Sequence, residues 1–501
     1  MAGLATHVVL QWSAFDALLL LLGLSVLYMI FVALYNIYFH PLSVYPGPKF
    51  AASTKIPIAY VSWIGKLPHW QLALHERYDS DVVRISPDEL SFISPSAWKD
   101  MYGTRQAGTN PFSKDMVLYT GINSIVTASD ADHSRMRRLL SHAFSDKALR
   151  EQETILQTHV NNLIAGLRKQ CQEFGGKADL SKWFNWTTFD IIGDLAFGEP
   201  FDCLKETTYQ PWVAMLMNNH RYIVLMSVTL RFPPLHKLAA RFVPQKVVRA
   251  RMDHHSMSKE KVDRRLERTT DRPDFTSYIL RHNGSKGGMS REEIQLNAAT
   301  FIAAGSETSA ALLAGAVWSL LHNPTYMDRL QREIRSKFLT ADEIRLPNLD
   351  DLDFLHAVIS ESFRMYPPGV AGQPRVAPPS GDFISGYWVP PKTGVQINQY
   401  AASMSRRNFS SPWTFAPSRW MNDPQYAGDK LDALQPFSTG ARNCIGKNLA
   451  NAEIALILTR LLWEFDMTLS EETDSNWPDQ QAWFTWNKKP LVVKLQERTM
   501  G

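Results

Sequence analysis

The chain has 501 residues, 45% of them apolar and 20% charged, so it can bury a large core and carries the charge of an ordinary folded protein. Its 53 basic residues against 49 acidic ones, a net charge of +4, are too evenly balanced to argue for nucleic-acid binding. Three cysteines, Cys171, Cys203 and Cys444, make no disulfide framework and point to a reducing compartment, where a lone cysteine is either buried and inert or free for metal work.

From Ala17 to Tyr38 no residue is charged, and the run is almost wholly apolar. As a helix rising about 1.5 Å per residue it is long enough for a hydrocarbon core of roughly 30 Å. A cleaved secretory signal would need a positive start and a small-residue cleavage site. Met1 to Pro48 contains no Lys or Arg, and Tyr35, Tyr38 and Phe39 stand where that site would be. These aromatics suit a membrane interface, and Lys49 and Lys55 follow directly, so positive-inside bias puts the remainder in the cytosol. Tyr45-Pro46-Gly47-Pro48 cannot continue the helix and makes a stiff turn. The sequence thus divides into an anchor and proline hinge, residues 1–45, and one catalytic domain, residues 46–501.

Residues 55–100 mix short strand-like runs, Val82 to Ile85 and Leu90 to Ile93, with turn signals. From about 130 to 340 the apolar period is helical. Within that stretch, residues 258–291 are charged and polar and read as an exposed connection. Strand and turn character returns near 372–398, and a proline- and glycine-rich stretch at 411–443 leads into a last long helix from about 445 to 465. The predicted fold is mainly α with a small β part.

Two segments carry chemistry. Ala303-Ala304-Gly305-Ser306-Glu307-Thr308 lies in an apolar helical run from about 294 to 321. Its small residues let a backbone approach a flat cofactor, and Thr308 can bond back to the carbonyl of Ala304, opening a groove for dioxygen and water. Taken alone the segment reads as a mid-helix distortion with a solvent-facing glutamate; beside a cysteine loop, an acid next to an alcohol, Glu307 and Thr308, can relay the protons that O–O cleavage needs. The second segment is Phe437-Ser438-Thr439-Gly440-Ala441-Arg442-Asn443-Cys444-Ile445-Gly446. A thiolate holding haem iron must be shielded and met by backbone donors. Gly440 permits the turn, and Gly446 brings the backbone to the sulfur. The helix start after Cys444 favours negative charge on that sulfur. Phe437 can cover the thiolate, and Arg442 can pair a haem propionate.

The five positions Phe437, Gly440, Arg442, Cys444 and Gly446 resemble in full the cysteine signature of the cytochrome P450 superfamily, F-x-x-G-x-R-x-C-x-G. The resemblance runs from the anchor to the final helix and is nearest the fungal membrane-bound branch that oxidises secondary metabolites. It implies the P450 fold, Cys444 as axial ligand of haem b, and Glu307–Thr308 as the family's acid–alcohol pair. Glu361 and Arg364 match its E-x-x-R motif, and Arg419 the later arginine, in a buried structural network that holds the cysteine loop. Arg137 and His133 occupy the family's W-x-x-x-R positions, with His133 replacing the tryptophan, and Arg375 matches the strand arginine at the haem edge. Together Arg137, Arg375 and Arg442 would neutralise two buried propionates, with His133 as a further donor.

The resemblance also implies an endoplasmic reticulum location, single-pass, and a separate NADPH-cytochrome P450 reductase, since no dinucleotide-binding G-x-G-x-x-G follows a strand. Lys447, Arg135 and Arg138 are candidates to meet that acidic donor. The substrate is expected to be a lipophilic small molecule of polyketide or terpenoid type, hydroxylated or epoxidised. Candidate pocket segments are Phe112–Val126, Met215–Phe232, Val370–Gln373 and Phe484-Thr485, largely apolar with adaptable methionines. The alternative functions are a haem-thiolate isomerase or dehydratase of the same fold and a non-catalytic haem sensor. Neither needs the acid–alcohol pair.

Overall fold

The structure, a computed structural model, describes residues 14–105, 110–115, 123–209, 245–284, 287–370 and 372–499, with isolated residues between 226 and 243. Helix α1 (Ala14–Tyr38) buries none of its apolar span against the remainder of the chain. Such a surface is costly in water and suits lipid. The chain then turns through the hinge, which lies on strand β1 (Val82–Ser86): the Arg84 amide donates to the Pro46 carbonyl at 2.7 Å. Gly47 permits this contact, because a Cβ there would strike the Arg84 carbonyl oxygen.

The main sheet orders its strands β1, β2 (Glu89–Phe92), β8 (Gly394–Ile397), β5 (Arg375–Val376) and β3 (Ser113–Lys114). Only β2 and β8 run parallel, and Lys114 is paired across from Arg375. A second sheet orders β4 (Lys177–Asp179), β10 (Val492–Glu497) and β9 (Phe465–Leu469). A separate hairpin joins β6 (Asp382–Ile384) to β7 (Tyr387–Val389).

Helices fill the remainder. Among the described residues, those of eight residues or more after α1 are α2 (Ile56–Trp63), α3 (Leu67–Tyr78), α4 (Pro95–Tyr102), α5 (Asp130–Leu140), α6 (Asp146–Glu173), α7 (Leu180–Phe197), α8 (Gln245–Glu267), α9 (Phe275–His282), α10 (Arg291–Leu321), α11 (Pro324–Lys337), α12 (Asp353–Met365) and α13 (Lys447–Glu464). The centre is α10, which packs along α7 and also touches α8, α12 and α13. It starts at a capping box, with Ser290 and Glu293 satisfying each other's backbone amides. Although long and apolar enough to cross a membrane, it is mostly buried, as a core helix should be. Its glycines are approach points: a Cβ at Gly305 would sit 2.9 Å from Ile192, and one at Gly315 would sit 2.6 Å from Tyr366.

The segment 258–291 departs from the expected exposed connection, since α8 and α9 occupy most of it. The charges that read as solvated are partly internal. Arg265 pairs with Asp274 through bonds of 2.6 and 3.0 Å, with both side chains buried, and Asp274 also caps α9 at the Ser277 amide. Phe275, Tyr278 and Ile279 then face the core.

Candidate active site

The cysteine loop closes on itself before α13. The Cys444 amide donates to the Phe437 carbonyl at 2.8 Å, and Asn443 returns to Gly440 at 3.1 Å. Gly440 has φ +73, and a Cβ there would strike the Tyr102 carbonyl, so only glycine fits this turn. Burial pushes the Cys444 thiol up, while the Gly446 amide and then Arg137 act to lower it. Arg137 grips the loop, with Nη2 on Asn443 Oδ1 at 2.6 Å and Nη1 on the Asn443 carbonyl. Its guanidinium therefore binds the cysteine loop directly, a contact that the propionate role expected from sequence does not include. Phe437 is half-buried and meets Phe363 edge-on at 5.2 Å.

One edge of this region gathers positive charge. Arg442 bonds Asp130 at 2.7 Å and the Ala128 carbonyl at 2.8 Å, leaving its Nη1 buried without a hydrogen-bond partner. Arg375 is buried with its guanidinium 5.0 Å from the Tyr102 ring centre. His133 is buried and held down to about 4 by burial, then by Arg442, Arg137 and Lys114, so it is neutral and keeps one N–H to donate. Lys114, which sequence reading passed over because its strand is two residues long, is pushed down to about 7 by burial, then by Arg442 and Arg375.

Across from the loop, the Thr308 hydroxyl donates to the Ala304 carbonyl at 2.8 Å. Glu307 is buried, its Oε1 paired with Lys488 and its Oε2 without a hydrogen-bond partner. Lys488 had no signal in the sequence. Cys444 is exposed and so is Ala304, although they sit on or beside two helices, α13 and α10, that pack together in the core. A thiol at the head of α13, an exposed alanine on the adjoining α10 and a cationic edge with an unused buried donor suit a flat cofactor bearing carboxylates, which is the shape and charge of haem.

Glu361, Arg364 and Arg419 are fully buried together behind this site. Arg364 holds both Glu361 oxygens at 2.7 and 2.8 Å and donates to the carbonyls of Ser403, Pro412 and Thr414. Arg419 approaches Glu361 at 3.5 Å and pairs with Asp429. Trp420 donates to Glu361 at 2.9 Å. Asp429 and Trp420 complete the network and were not singled out from sequence.

Among the pocket candidates, residues 116–122, 215–225, 227 and 371 lie outside the described residues. Phe112, Val370 and Thr485 are buried, whereas Gln373 and Phe484 are exposed. Of the cations proposed to meet a redox partner, Arg138 and Lys447 are exposed, while Arg135 is engaged by Glu293 and Asp132.

The family model for cytochrome P450 matches residues 84–495. The chain is 44% identical to the cytochrome P450 monooxygenase atr2 of Stereocaulon alpinum, with 96% of each chain covered. It is 41% identical to the cytochrome P450 monooxygenase astA of Talaromyces wortmannii, with 96% of this chain and 97% of the relative covered. Likewise, it is 42% identical to the cytochrome P450 monooxygenase traB of Penicillium crustosum, over 95% and 96%.

Proposed function

Because the chain belongs to the cytochrome P450 family and is a monooxygenase of the haem-thiolate kind, we propose that it hydroxylates or epoxidises a lipophilic secondary metabolite of polyketide or terpenoid type. Haem b would be the cofactor, held by the Cys444 sulfur. The observation that carries this reading is the position of Cys444, on a loop closed by its own amide just before α13, a helix that packs against α10, which carries Ala304 and Thr308. When bound, haem supplies the dioxygen activation that no amino-acid side chain can.

The residues do the remainder. The Gly446 amide and the start of α13 stabilise negative charge on the Cys444 sulfur, and Phe437 keeps water from it. Arg442, Arg375 and His133 hold the carboxylate edge, with Lys114 as a further cation, while Arg137 fixes Asn443 and hence the loop. Glu361, Arg364 and Arg419 keep the segment before the loop in place. On α10, the Thr308 hydroxyl, bonded to the Ala304 carbonyl, is assigned to orient water, and Glu307, one of whose oxygens is unbonded, is the acid beside it.

We assign α1 as a single-pass anchor in the endoplasmic reticulum membrane, with residues 46–501 as the cytosolic catalytic domain. Electrons come singly from an NADPH-cytochrome P450 reductase, for which exposed Arg138 and Lys447 offer positive charge. The test is stoichiometry in membranes containing both proteins and candidate pathway intermediates. One NADPH and one dioxygen consumed per oxidised product supports the reading. Product formed without NADPH would favour the isomerase or dehydratase alternative.

A further inference from the structure

Trp318, Trp477, Tyr366 and Trp486 stack into one continuous ladder of rings. Successive ring centres are 6.0, 5.2 and 4.9 Å apart, with planes within 29° of parallel, and His322 caps the outer end, 4.1 Å from Trp318. Among the described residues, His142 and His282 make the one further stacked pair, and the other ring contacts are edge-on or tilted. Repeated stacking aligns the π faces along one line, which filling a core does not by itself require. The ladder runs from surface to interior: His322 is exposed, Trp318 half-buried, and Trp477, Tyr366 and Trp486 are buried.

The inner end lies against α10. Tyr366 rests on its backbone at Gly315, and Lys488, just past Trp486 in the chain, pairs with Glu307 beside Thr308. The polar atoms decide where a missing electron can rest. A tyrosine that loses an electron must also shed its proton, and the Tyr366 hydroxyl donates at 2.6 Å to Gln480 Oε1, an amide oxygen that is no base. An indole can lose an electron and keep its N–H. Trp486 and Trp477 hold theirs on the carbonyls of Pro367 and Lys489 at 2.9 and 3.1 Å, and the Trp318 Nε1 is buried without a hydrogen-bond partner. The vacancy therefore rests on the indoles, and Trp318 holds it where a donor in solution can reach the ladder.

We propose that this ladder conducts electrons inward from a water-soluble one-electron donor of the ascorbate class, meeting the protein at His322 and Trp318, to the haem site when peroxide has oxidised it. The proposal rests on the reading of that site as a haem centre, whose uncoupled turnover forms peroxide. Each cycle consumes one hydrogen peroxide and two donor molecules. The donors give up two electrons and two protons, the electrons pass along the ladder one at a time, the O–O bond breaks, and two waters and two donor radicals leave. Each ring is re-reduced by its outer neighbour and ends unchanged. The outcome is a peroxidase activity that bypasses the substrate pocket and spares the site from self-oxidation. Core packing accounts for the burial of the inner rings, but not for their shared orientation or for the stack continuing to solvent.

The test uses the full-length holoenzyme in membranes, without substrate or reductase. Trp477→Phe keeps a ring in the stack but one far harder to oxidise, and Trp318→Phe does the same near the surface. Both are checked for the carbon monoxide difference spectrum first. With peroxide, freeze-quenched wild type should show an indolyl radical by electron paramagnetic resonance, narrowed when its tryptophans are ring-deuterated, and both variants should lose most of it. Ascorbate oxidation by peroxide should fall several-fold in both, while NADPH-driven product formation with reductase restored stays at the wild-type rate. A second measurement reads the ladder without peroxide: a ruthenium photo-oxidant on His322→Cys, in a Cys171→Ser background, should oxidise Trp318 on a flash, and Trp318→Phe should abolish the transient. No transient in the labelled parent overturns Trp318 as the entry point. A normal carbon monoxide spectrum with wild-type radical yield and ascorbate oxidation in Trp477→Phe overturns the conduit alone. Wild-type protein that lacks that spectrum overturns the haem reading and the conduit with it.

Discussion

Lys488 and Glu307, 181 residues apart in sequence, form an ion pair in which each side chain is 4% exposed. The pair ties the segment after the Trp486 bridge to the middle of α10, one residue before Thr308. Removing one partner strands a buried charge, which typically costs about 3–5 kcal/mol, whereas removing both costs far less. Lys488→Met should therefore lower the thermal midpoint markedly, and the Glu307→Gln/Lys488→Met double variant should recover most of that loss. Equal, additive losses in the two single variants would show that the pair is not coupled in solution.

Thr308→Ala removes the hydroxyl bonded to Ala304 and leaves the cysteine side unchanged. Haem content and the carbon monoxide spectrum should stay normal. NADPH consumption should continue, with more of it appearing as hydrogen peroxide and less as oxidised product. Wild-type coupling in this variant would remove the proposed role of the groove.

The link between Lys488 and Glu307 also marks where sequence reading stops. The cysteine loop and the α10 segment are legible because their residues are neighbours in the chain and the chemistry fixes their spacing. Partners such as Lys488 and Lys114 come from distant segments with no local pattern, and only tertiary packing brings them in. The segment 258–291 failed for a related reason: its charge density hides the buried Arg265–Asp274 pair. Three Asn-x-Ser/Thr triplets match the N-glycosylation acceptor pattern, beginning at Asn185, Asn283 and Asn408, and the first and last of these asparagines cannot report topology. Both are buried, and their side-chain amides bond Tyr209 and Ile93, so unused sequons there say nothing about which side of a membrane they face.

His75 is fully buried, with Nδ1 2.8 Å from the Ser80 carbonyl and Nε2 3.0 Å from the Ser91 hydroxyl. Burial, against the Ser80 bond, lowers it from 6.5 to about 4. The unfolded chain therefore binds a proton at higher pH than the folded one. Stability is retained above pH ~6.5 and falls as the pH drops from there towards ~4, by about 2 kcal/mol at pH 5. His75→Gln should be less stable than wild type at pH 7 and lose less between pH 7 and 5. Parallel losses in thermal midpoint over that range would contradict the assignment.

Arg84 is almost fully buried and spends one nitrogen on the Asn36 carbonyl at 2.7 Å and another on Pro87 at 2.6 Å. Truncating residues 1–40 removes the first acceptor and leaves that nitrogen to water, at a net cost of about 0.5–1.5 kcal/mol. Truncating only residues 1–34 spares it. Both truncations should release much of the protein from membranes, but the shorter deletion should give the higher thermal midpoint. Identical midpoints would mean that the clamp contributes nothing.

The central claim is that the Cys444 sulfur is the axial ligand of a haem-thiolate centre, and the carbon monoxide spectrum of the reduced protein tests it most directly. The wild-type protein should show the red-shifted Soret band of thiolate ligation. Cys444→His should lose that band, whether or not it retains haem. An unchanged spectrum in Cys444→His would contradict the account at its root.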